Sequence, residues 1–531
     1  MCIQVKRTMF RINDRNKCKL ATSIVAIVAG LFMNIASADE HILRTNLRAD
    51  AKTLNPIQNS ELISGNVIKH MYESLTTLDI DGNIIPGLAT SWETASDGLS
   101  ASFTLREGVK FHSGRELTTA DVKWTFEQAL IPSKRGGLLL DAVRSIVGAE
   151  AMLQGDATSL AGFTVIDKYR FSVSFERPTV IFPLYEMYIV DRAVESIHGE
   201  DWAREVSGGT GPFSYVKWRR GVSIELAAFD DYWRGMPGID GVTFFVVPNI
   251  ETTLSMYEAN ELDLVEVLPA DARNVTRDPR FGGQLMRKSA AQVSYLALNQ
   301  NLYAPFRDKR VREAISISLD RDAMVYGLFG GAAIPLYGQI APGFPGFDAS
   351  IPVIAYDLQR AQELMEEAGH KDGKGLPPIV IQGTHQDKIA LAFYADHLKK
   401  TLGLPVSVSV VERGTHIKQL NGGKVALFPW SWTADYADPA SFLRDLYYSK
   451  SKWNRSRYSN AAFDALIDEA VTTVDDAERL SIYRRADRLL MADFGVVPTT
   501  VRVQIYIRRP MFEGIRLTAM GLMPFFGVSI K

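Results

Sequence analysis

Residues 65–130 read GNVIKHMYESLTTLDIDGNIIPGLATSWETASDGLSASFTLREGVKFHSGRELTTADVKWTFEQAL, and this stretch decides the fold. Apolar side chains recur at a helical spacing over residues 67–75 and lead into a polar turn at Asp81-Gly82-Asn83. Residues 102–106 alternate between polar and apolar, which predicts a strand. The run 118–124 predicts a helix start, because Thr118 can cap it.

The first 38 residues differ in composition from the rest of the chain. They contain a basic head before residue 20, no charge from residue 20 to 38, and a small-residue exit at Ala36-Ser37-Ala38. This order is typical of a secretory signal peptide. We therefore expect residues 1–38 to be a signal peptide cleaved after Ala38, and the protein to be periplasmic. An uncleaved membrane anchor is the alternative, which polar residues such as Thr22 and Asn34 disfavour.

Cysteine usage and charge narrow the function classes. Both cysteines, Cys2 and Cys18, lie in the first 38 residues, so the rest of the chain has no disulfide, thiolate metal site or cysteine nucleophile. Of the 59 basic and 61 acidic residues, six basic and one acidic lie in that segment, which leaves a net charge of −7. This charge argues against nonspecific nucleic-acid binding. A chain of 531 residues is too long for one core, and about three domains are expected.

Beyond residue 299, helix and strand patterns alternate, which predicts a partly parallel sheet. Asp308 is placed to cap one of these helices. Over the whole chain, strands are predicted at residues 41–48, 102–106, 163–165, 170–175, 214–218, 222–227, 242–247, 263–266, 378–382, 406–411, 424–427 and 497–507, and helices at 251–258, 309–319, 356–368, 390–402, 463–472 and 477–492.

Several motifs resemble one known family. PGLATSW at 86–92, FTLREGVKFHSG at 103–114, TADVKWTFE at 119–127, GTGPFSYVKW at 209–218 and FDDYWRG at 229–235 are similar to the extracytoplasmic solute-binding proteins of ABC importers, in their peptide/nickel class, family 5. The resemblance covers nearly the whole chain after residue 38. It implies that the protein captures a solute outside the inner membrane and passes it to a permease with its ATPase subunits.

The resemblance also implies an α/β fold of the two-lobed periplasmic binding protein type, similar to type II, with an extra domain and a ligand cleft between the lobes. Lobe I would comprise residues 39–64, 190–290 and 500–531, and lobe II residues 291–499. Residues 65–189 would form the extra domain on lobe I. Composition alone does not predict this discontinuous first lobe.

An aromatic and acidic cluster at 428–439, FPWSWTADYADP, follows the predicted strand 424–427. Clefts form at strand ends in α/β sheets, and a carboxylate among aromatic rings suits an ammonium group. The resemblance implies that Asp435, in the motif Trp432-Thr433-Ala434-Asp435-Tyr436, binds the free α-amino group of a peptide. Trp430 and Ser431 belong to the same cluster. The alternative is that Asp435 only caps the following turn and that the tryptophans are core residues.

A second candidate segment is Ser60-Glu61-Leu62. At the matching place, members of the family offer backbone groups that pair with an extended peptide, and Ser431 and Thr433 would supply the facing edge. Pro429 stands where some oligopeptide binders have a cation for the peptide carboxylate. A peptide of fixed length is therefore not predicted, and a cationic or amine-bearing solute remains an alternative.

The sequence lacks the common motifs of metal sites, nucleotide-binding sites and serine hydrolases. The eight histidines are scattered without an H-x-x-x-H or H-E-x-x-H pair, and no Walker A sequence or G-x-S-x-G elbow occurs. We therefore expect no cofactor, no metal site and no enzymatic activity, in a protein that acts as a monomer. The alternatives are a binding protein for a nickel chelate, heme, opine or other amine-bearing solute, an exported peptidase, and a receptor that reports a solute to a sensor.

Overall fold

The computed structural model describes residues 41–80, 82–134, 143–178, 187–521 and 523–531. The predicted signal peptide at 1–38 and Asp81 of the predicted turn lie outside these residues. So do residues 135–142 and 179–186 of the predicted extra domain. None of the described helices is long and apolar enough to span a membrane.

Strands and helices both run the length of the described chain. The strands are β1 (Ile42–Leu47), β2 (Thr76–Leu78), β3 (Ile84–Pro86), β4 (Ala89–Thr94), β5 (Ser100–Leu105), β6 (Phe163–Val165), β7 (Arg170–Ser174), β8 (Phe213–Arg219), β9 (Ser223–Ala228), β10 (Gly241–Val246), β11 (Leu264–Glu266), β12 (Leu285–Leu298), β13 (Ala333–Pro335), β14 (Ile379–Gly383), β15 (Val406–Val410), β16 (Leu427–Thr433), β17 (Val497–Arg508), β18 (Phe512–Glu513) and β19 (Ser529–Ile530). The α-helices are α1 (Leu62–Met71), α2 (Thr119–Leu130), α3 (Ala149–Gln154), α4 (Val194–His198), α5 (Thr253–Glu258), α6 (Pro269–Arg277), α7 (Lys309–Ile317), α8 (Arg321–Phe329), α9 (Leu358–Glu367), α10 (Lys388–Leu402), α11 (Arg413–Asn421), α12 (Arg444–Tyr447), α13 (Ala461–Thr472) and α14 (Asp476–Ala492).

The N-terminal half of the chain folds on two small sheets. One has the order β1-β10-β9-β8, with β1 parallel to β10 and the other pairs antiparallel. The other has the order β4-β5-β7-β6, and it packs α2 against stacked rings of Phe103, Phe171 and Phe163. One continuous hydrophobic cluster, here called the first core, joins both sheets. The predicted strands at 41–48 and 102–106 are confirmed.

Helix α2 begins where the sequence pattern predicts. Thr118 and Asp121 form a reciprocal capping box: the Thr118 backbone N–H donates to Asp121 Oδ2 at 3.0 Å, and the Thr118 side chain accepts from the Asp121 backbone. Two orphan donors of the first turn are thereby satisfied.

Gly209 lies where the chain passes the end of α1. A Cβ at this position would stand 1.9 Å from the backbone oxygen of Met71. We expect Gly209→Ala to lower the free energy of unfolding by about 3 kcal/mol, because backbone atoms cannot yield as a side chain can. Gly327→Ala is the matched control, since nothing lies within 4 Å of the place that its methyl group would take on α8. Chemical denaturation of both variants checks this, and an equally stable Gly209→Ala protein would contradict the packing.

A seven-stranded sheet joins the two halves of the molecule. Its order is β11-β17-β12-β16-β14-β15, with β13 also paired to β17. The strands β12 and β17 have 14 and 12 residues and are antiparallel to each other. Their register shifts between Ser289 and Val293, where three residues of β12 face Arg502 alone. Such a bulge bends the strand locally and increases its twist.

The C-terminal half is built on helices around this sheet. Here β14 runs parallel to β15 and β16, as the helix–strand alternation predicts. Helix α9 begins two residues later than residue 356, because the Asp357 side chain accepts from the Arg360 backbone N–H at 2.9 Å. Two hydrophobic clusters fill this half and are together called the second core. The exact domain boundaries given above remain predictions.

A buried carboxyl group lies in the second core. Asp487 on α14 is buried, and its Oδ1 accepts the Gln339 backbone N–H at 2.9 Å. Burial raises the pKa of Asp487 to about 7. An unfolded Asp titrates near ~3.9, so the folded state holds the proton more tightly, and the stability this group contributes is lost as pH rises from about 4 to 7.

Asp487→Asn is expected to remove this pH dependence. Between pH 5 and 8 the wild type should lose roughly 3 kcal/mol more stability than the Asn variant. Urea unfolding of both proteins at the two pH values measures the difference. Parallel pH profiles would show that the carboxyl group titrates normally.

Candidate functional site

The aromatic and acidic cluster forms a strand itself. The prediction of a strand at 424–427 with the cluster after it is wrong, because β16 covers Leu427–Thr433. Aromatic residues such as Trp430 and Trp432 fit a pleated surface. Pro429 is tolerated because its missing N–H falls on the side of the strand that β12 does not pair.

The register of β16 leaves one of its edges open. The Ala434 N–H donates to the Ala291 carbonyl at 2.8 Å, and the Asn299 N–H donates to the Ala426 carbonyl at 2.8 Å. Backbone hydrogen bonding alternates along an antiparallel pair. The N–H and C=O groups of even-numbered residues of β16 therefore bond to β12, and those of odd-numbered residues point to the other side of the strand. On that far side β14 pairs with β16 only at Leu427. Among the described residues, no strand pairs with the outward backbone groups of Ser431 and Thr433.

Asp435 follows the open edge directly. Its backbone N–H donates to Ser441 Oγ at 3.0 Å, and Trp432 Nε1 donates to the same oxygen at 3.4 Å. Ser441 is buried, so it fixes the turn from inside, while the Asp435 side chain is exposed. The carboxylate therefore stands at the end of an unpaired strand edge.

The capping function belongs to Asp438. Its Oδ1 accepts the Ala440 N–H at 2.8 Å at the start of a short 3-10 turn, Pro439–Ser441. Its Oδ2 pairs with Arg479, and both side chains are buried. Burial lowers the pKa of Arg479, but its pairing with Asp438 and Asp476 together outweighs that effect and raises it. Of the two carboxylates in the cluster, Asp438 is thus structural.

Tyr436 is held by the helix that follows. Its hydroxyl donates to Asp445 Oδ2 at 2.6 Å, and its side chain is half-buried. Burial raises the pKa of Tyr436 well above its ordinary value, so the phenol is neutral at physiological pH.

Ser60, Glu61 and Leu62 form the exposed entry to α1. Glu61 Oε1 accepts from Ser64 Oγ at 2.7 Å and from the Lys52 N–H at 3.1 Å, and Leu62 is 76% exposed. The structure brings the other six predicted site residues together around β16. Ser60, Glu61 and Leu62 lie apart from that group, at the start of α1 in the N-terminal half of the chain.

A cavity of about 290 Å³ lies beside the Asp435 turn. Its walls come from β2–β4 on one side and from the turn and α14 on the other. The residues that line it include Thr76, Ile84, Trp92, Asp438, Asp476 and Arg479. No sequence pattern predicts this space, because its two walls come from distant parts of the chain.

A row of indole rings continues from β16 to the loop after α12. The Trp432 and Trp453 ring centroids are 6.0 Å apart. The Arg455 guanidinium lies 4.4 Å from the centroid of Trp430 and 5.4 Å from that of Trp453. Sequence reasoning misses Trp453 and Arg455, since no local pattern links them to β16.

Metal-ligating side chains are not clustered in the part of the chain that the structure describes. No group of three or more His, Cys, Asp or Glu side chains there could hold an ion. His416, which shares the second half with Asp435, is buried and bonded to Gln382 through Nδ1 at 3.1 Å.

One Ser–His contact bears on the peptidase alternative. His112 Nδ1 lies 2.6 Å from Ser207 Oγ, and His112 Nε2 lies 2.9 Å from the Gly211 carbonyl. Ser207 is buried, and its oxygen also accepts the Tyr215 N–H at 3.2 Å. Burial lowers the pKa of His112 to about 4. We assign this contact a structural role, because a nucleophile must be reachable by its substrate.

The sequence and the fold both match a known family. Residues 83–454 match the bacterial extracellular solute-binding proteins, family 5 Middle. The chain belongs to this family. Members of it are solute-binding proteins, not enzymes, and the resemblance drawn from the motifs is confirmed.

Two curated relatives are named for different ligands. Di/tripeptide-binding protein 2 of Pseudomonas aeruginosa strain UCBPP-PA14 is 27% identical over 84% of this chain and 86% of its own length. Heme-binding protein A of Haemophilus influenzae is 26% identical over 84% of each chain.

Two solved structures confirm the two-lobed fold. The unliganded open form of the murein tripeptide binding protein MppA superposes with a TM-score of 0.82, at 23% identity, over 93% of this chain and 98% of that one. DppA from Helicobacter pylori in complex with the peptide STSA, also 23% identical, covers 92% of this chain and 98% of its own, with a TM-score of 0.69. Of these two, the unliganded open form has the higher score.

Proposed function

We propose that this protein is the periplasmic substrate-binding component of an ABC importer and that it captures peptides. One observation carries the proposal: the unpaired backbone edge of Ser431 and Thr433 ends at the exposed carboxylate of Asp435. An extended peptide can add to such an edge as a strand, and its free amino group would then reach the carboxylate. Backbone pairing ignores side-chain identity, so the specificity would be broad.

Closure of the lobes would complete the site. The segment Ser60–Leu62 would approach the other edge of the peptide when the two lobes close. Ligand contacts on both lobes lower the free energy of the closed form only when the site is filled. A membrane permease with its ATPase subunits would then recognise the closed form.

Other features of the proposal follow from the sequence. A signal peptide at residues 1–38, cleaved after Ala38, would place the protein in the periplasm. There it would act as a monomer, and its function would require no cofactor. The name of the Haemophilus influenzae relative supports a second candidate, a non-peptide solute such as heme, a nickel chelate or an opine. An exported peptidase is disfavoured by the buried position of Ser207.

Native mass spectrometry on protein taken from a periplasmic extract, without denaturation, tests the ligand class. A spread of bound masses that match short peptides is expected. One sharp non-peptide mass would replace the peptide proposal by a dedicated small-solute importer.

A further inference from the structure

The cavity beside the Asp435 turn lies between two parts of the chain that are far apart in sequence. One wall comes from β2–β4 and carries Thr76 and Trp92, and the other comes from the turn after β16 and from α14. The walls meet at Gly82, where a Cβ would lie 3.4 Å from Cδ of Pro345. Asp435 is not among the described residues that line this space. The cavity therefore does not include the carboxylate that ends the open edge of β16.

Two buried polar atoms of lining residues have no hydrogen-bond partner in the part of the chain that the structure describes. They are Thr76 Oγ1 on one wall and Arg479 Nε on the other. Thr76 is 1% exposed and Arg479 5% exposed. Because buried polar atoms are nearly always paired, these two atoms require a partner that the described residues do not provide.

The other nitrogen atoms of Arg479 are already engaged. Nη1 pairs with Asp438, and Nη2 donates to Asp476 Oδ1 at 2.8 Å. These contacts fix the plane of the guanidinium group, so the direction of its Nε–H is fixed as well. The Nε–H can only donate, whereas the Thr76 hydroxyl can donate or accept. A hydroxyl oxygen of a ligand can satisfy either of them.

Carboxylates outnumber cations around the cavity. Among the described residues that line it, Arg479 is the one cation, and Asp438 and Asp476 are carboxylates. The Asp438 side chain is buried against Arg479, whereas the Asp476 side chain is 75% exposed. A further carboxylate, Asp79, accepts from the side-chain amide of the lining Asn83 at 2.9 Å. The surroundings therefore favour a ligand with a positive charge.

The rest of the lining is largely apolar. It includes the indole of Trp92 and the side chains of Ile84, Val474 and Leu480. Trp92 is half-buried, and the face of an indole attracts organic cations. The volume of about 290 Å³ is close to the lower end of the range for small-molecule sites. The lining thus suits a small organic cation better than a bare metal ion.

We propose that this cavity is a second binding site, for a small organic amine that carries a hydroxyl group. The ammonium group would lie near Asp476 and the ring of Trp92. The hydroxyl group would pair with Arg479 Nε or Thr76 Oγ1. The site does not rest on the peptide proposal, because neither Asp435 nor the open edge of β16 takes part in it.

Tyramine tests both chemical features of the ligand, since it combines an ammonium group with a phenolic hydroxyl group. Phenethylamine lacks the hydroxyl group, and 4-(2-hydroxyethyl)phenol lacks the ammonium group. In calorimetric titration of the wild type, tyramine should bind about 10-fold more tightly than either of them. No binding of tyramine, or equal binding of all three compounds, would overturn the site.

A pair of variants on α14 tests where the amine binds. Asp476→Asn should weaken tyramine binding by about 5-fold, because it removes the exposed carboxylate of the lining and keeps the buried pair of Asp438 and Arg479. Glu478→Gln is the matched control, since Glu478 is an exposed acid on the same helix and is not among the described lining residues. Tyramine binding that is unchanged in Asp476→Asn would overturn the proposal.

The same titrations separate this site from the peptide proposal. Asp435→Asn should leave tyramine binding unchanged while it weakens trialanine binding, and Asp476→Asn should have the opposite pattern. Loss of tyramine binding in Asp435→Asn, with normal binding in Asp476→Asn, would place the amine at the open edge and overturn the second site. If tyramine binds as predicted and no peptide binds, the second site stands and the peptide proposal falls.

Discussion

Asp435→Asn is expected to lower the affinity for trialanine by about 30-fold or more. The variant keeps the shape of the side chain but removes the charge that would pair with the peptide ammonium. Removing one partner of a desolvated charge pair typically costs ~2–5 kcal/mol, which corresponds to this range. The fold should be unchanged, because Asp435 is exposed and its turn is fixed by the bond from its backbone to Ser441.

Two controls sharpen this experiment. N-acetyl-trialanine lacks the ammonium group, so it should bind the wild type and Asp435→Asn with the same low affinity. Asp476→Asn removes another exposed carboxylate that lines the neighbouring cavity, and it should leave trialanine binding within a few-fold of the wild type. Unchanged trialanine affinity in Asp435→Asn would remove Asp435 from the site.

Arg479→Met is expected to destabilise the protein by about 3–5 kcal/mol. The substitution leaves the Asp438 carboxylate buried without its cation, and a lone buried charge is costly. Asp438 also caps the turn that holds Ser441 behind Asp435, so peptide binding should weaken with it. Thermal and urea unfolding measure the first effect, and calorimetric titration measures the second.

The same arginine supplies its own control. Its other nitrogen, Nη2, pairs with the exposed Asp476 at 2.8 Å. Asp476→Asn should cost less than about 1 kcal/mol, because exposed ion pairs contribute little. Equal destabilisation by the two substitutions would mean that the buried position of Asp438 does not govern the effect.

Local signals in the sequence predict elements well where capping chemistry is strong. The capping box of Thr118 and Asp121 and the N-cap at Asp308 act within one turn, so the sequence alone is enough to find them. The same holds for the alternating strand that became β5, because one of its faces is buried and the other is wetter.

The long strand β12 could not be predicted from its pattern. Its last four residues, Tyr295 to Leu298, lie between β16 and β17 and are all buried, so polar and apolar residues do not alternate there. Helix α8 was also missed, since its start depends on one cap, Asp320, in a sequence with weak periodicity.

In the candidate site, too, local sequence signals predict some features, while tertiary contacts decide the others. The motif led to Asp435, but which of Asp435 and Asp438 is structural depends on Arg479, which is 41 residues further on. The side chains of Arg455 and His416 converge on Trp430 only through the packing of α11 and the loop after α12. Contacts of this kind are tertiary, and no spacing within one segment records them.

Small-angle scattering with and without trialanine tests the central claim, that the two lobes close around a peptide. Native mass spectrometry on the same samples establishes that the site is occupied. We predict a smaller radius of gyration for the wild type with peptide, and no change for Asp435→Asn under the same conditions. An unchanged radius of gyration in wild-type protein that demonstrably holds the peptide would contradict the account.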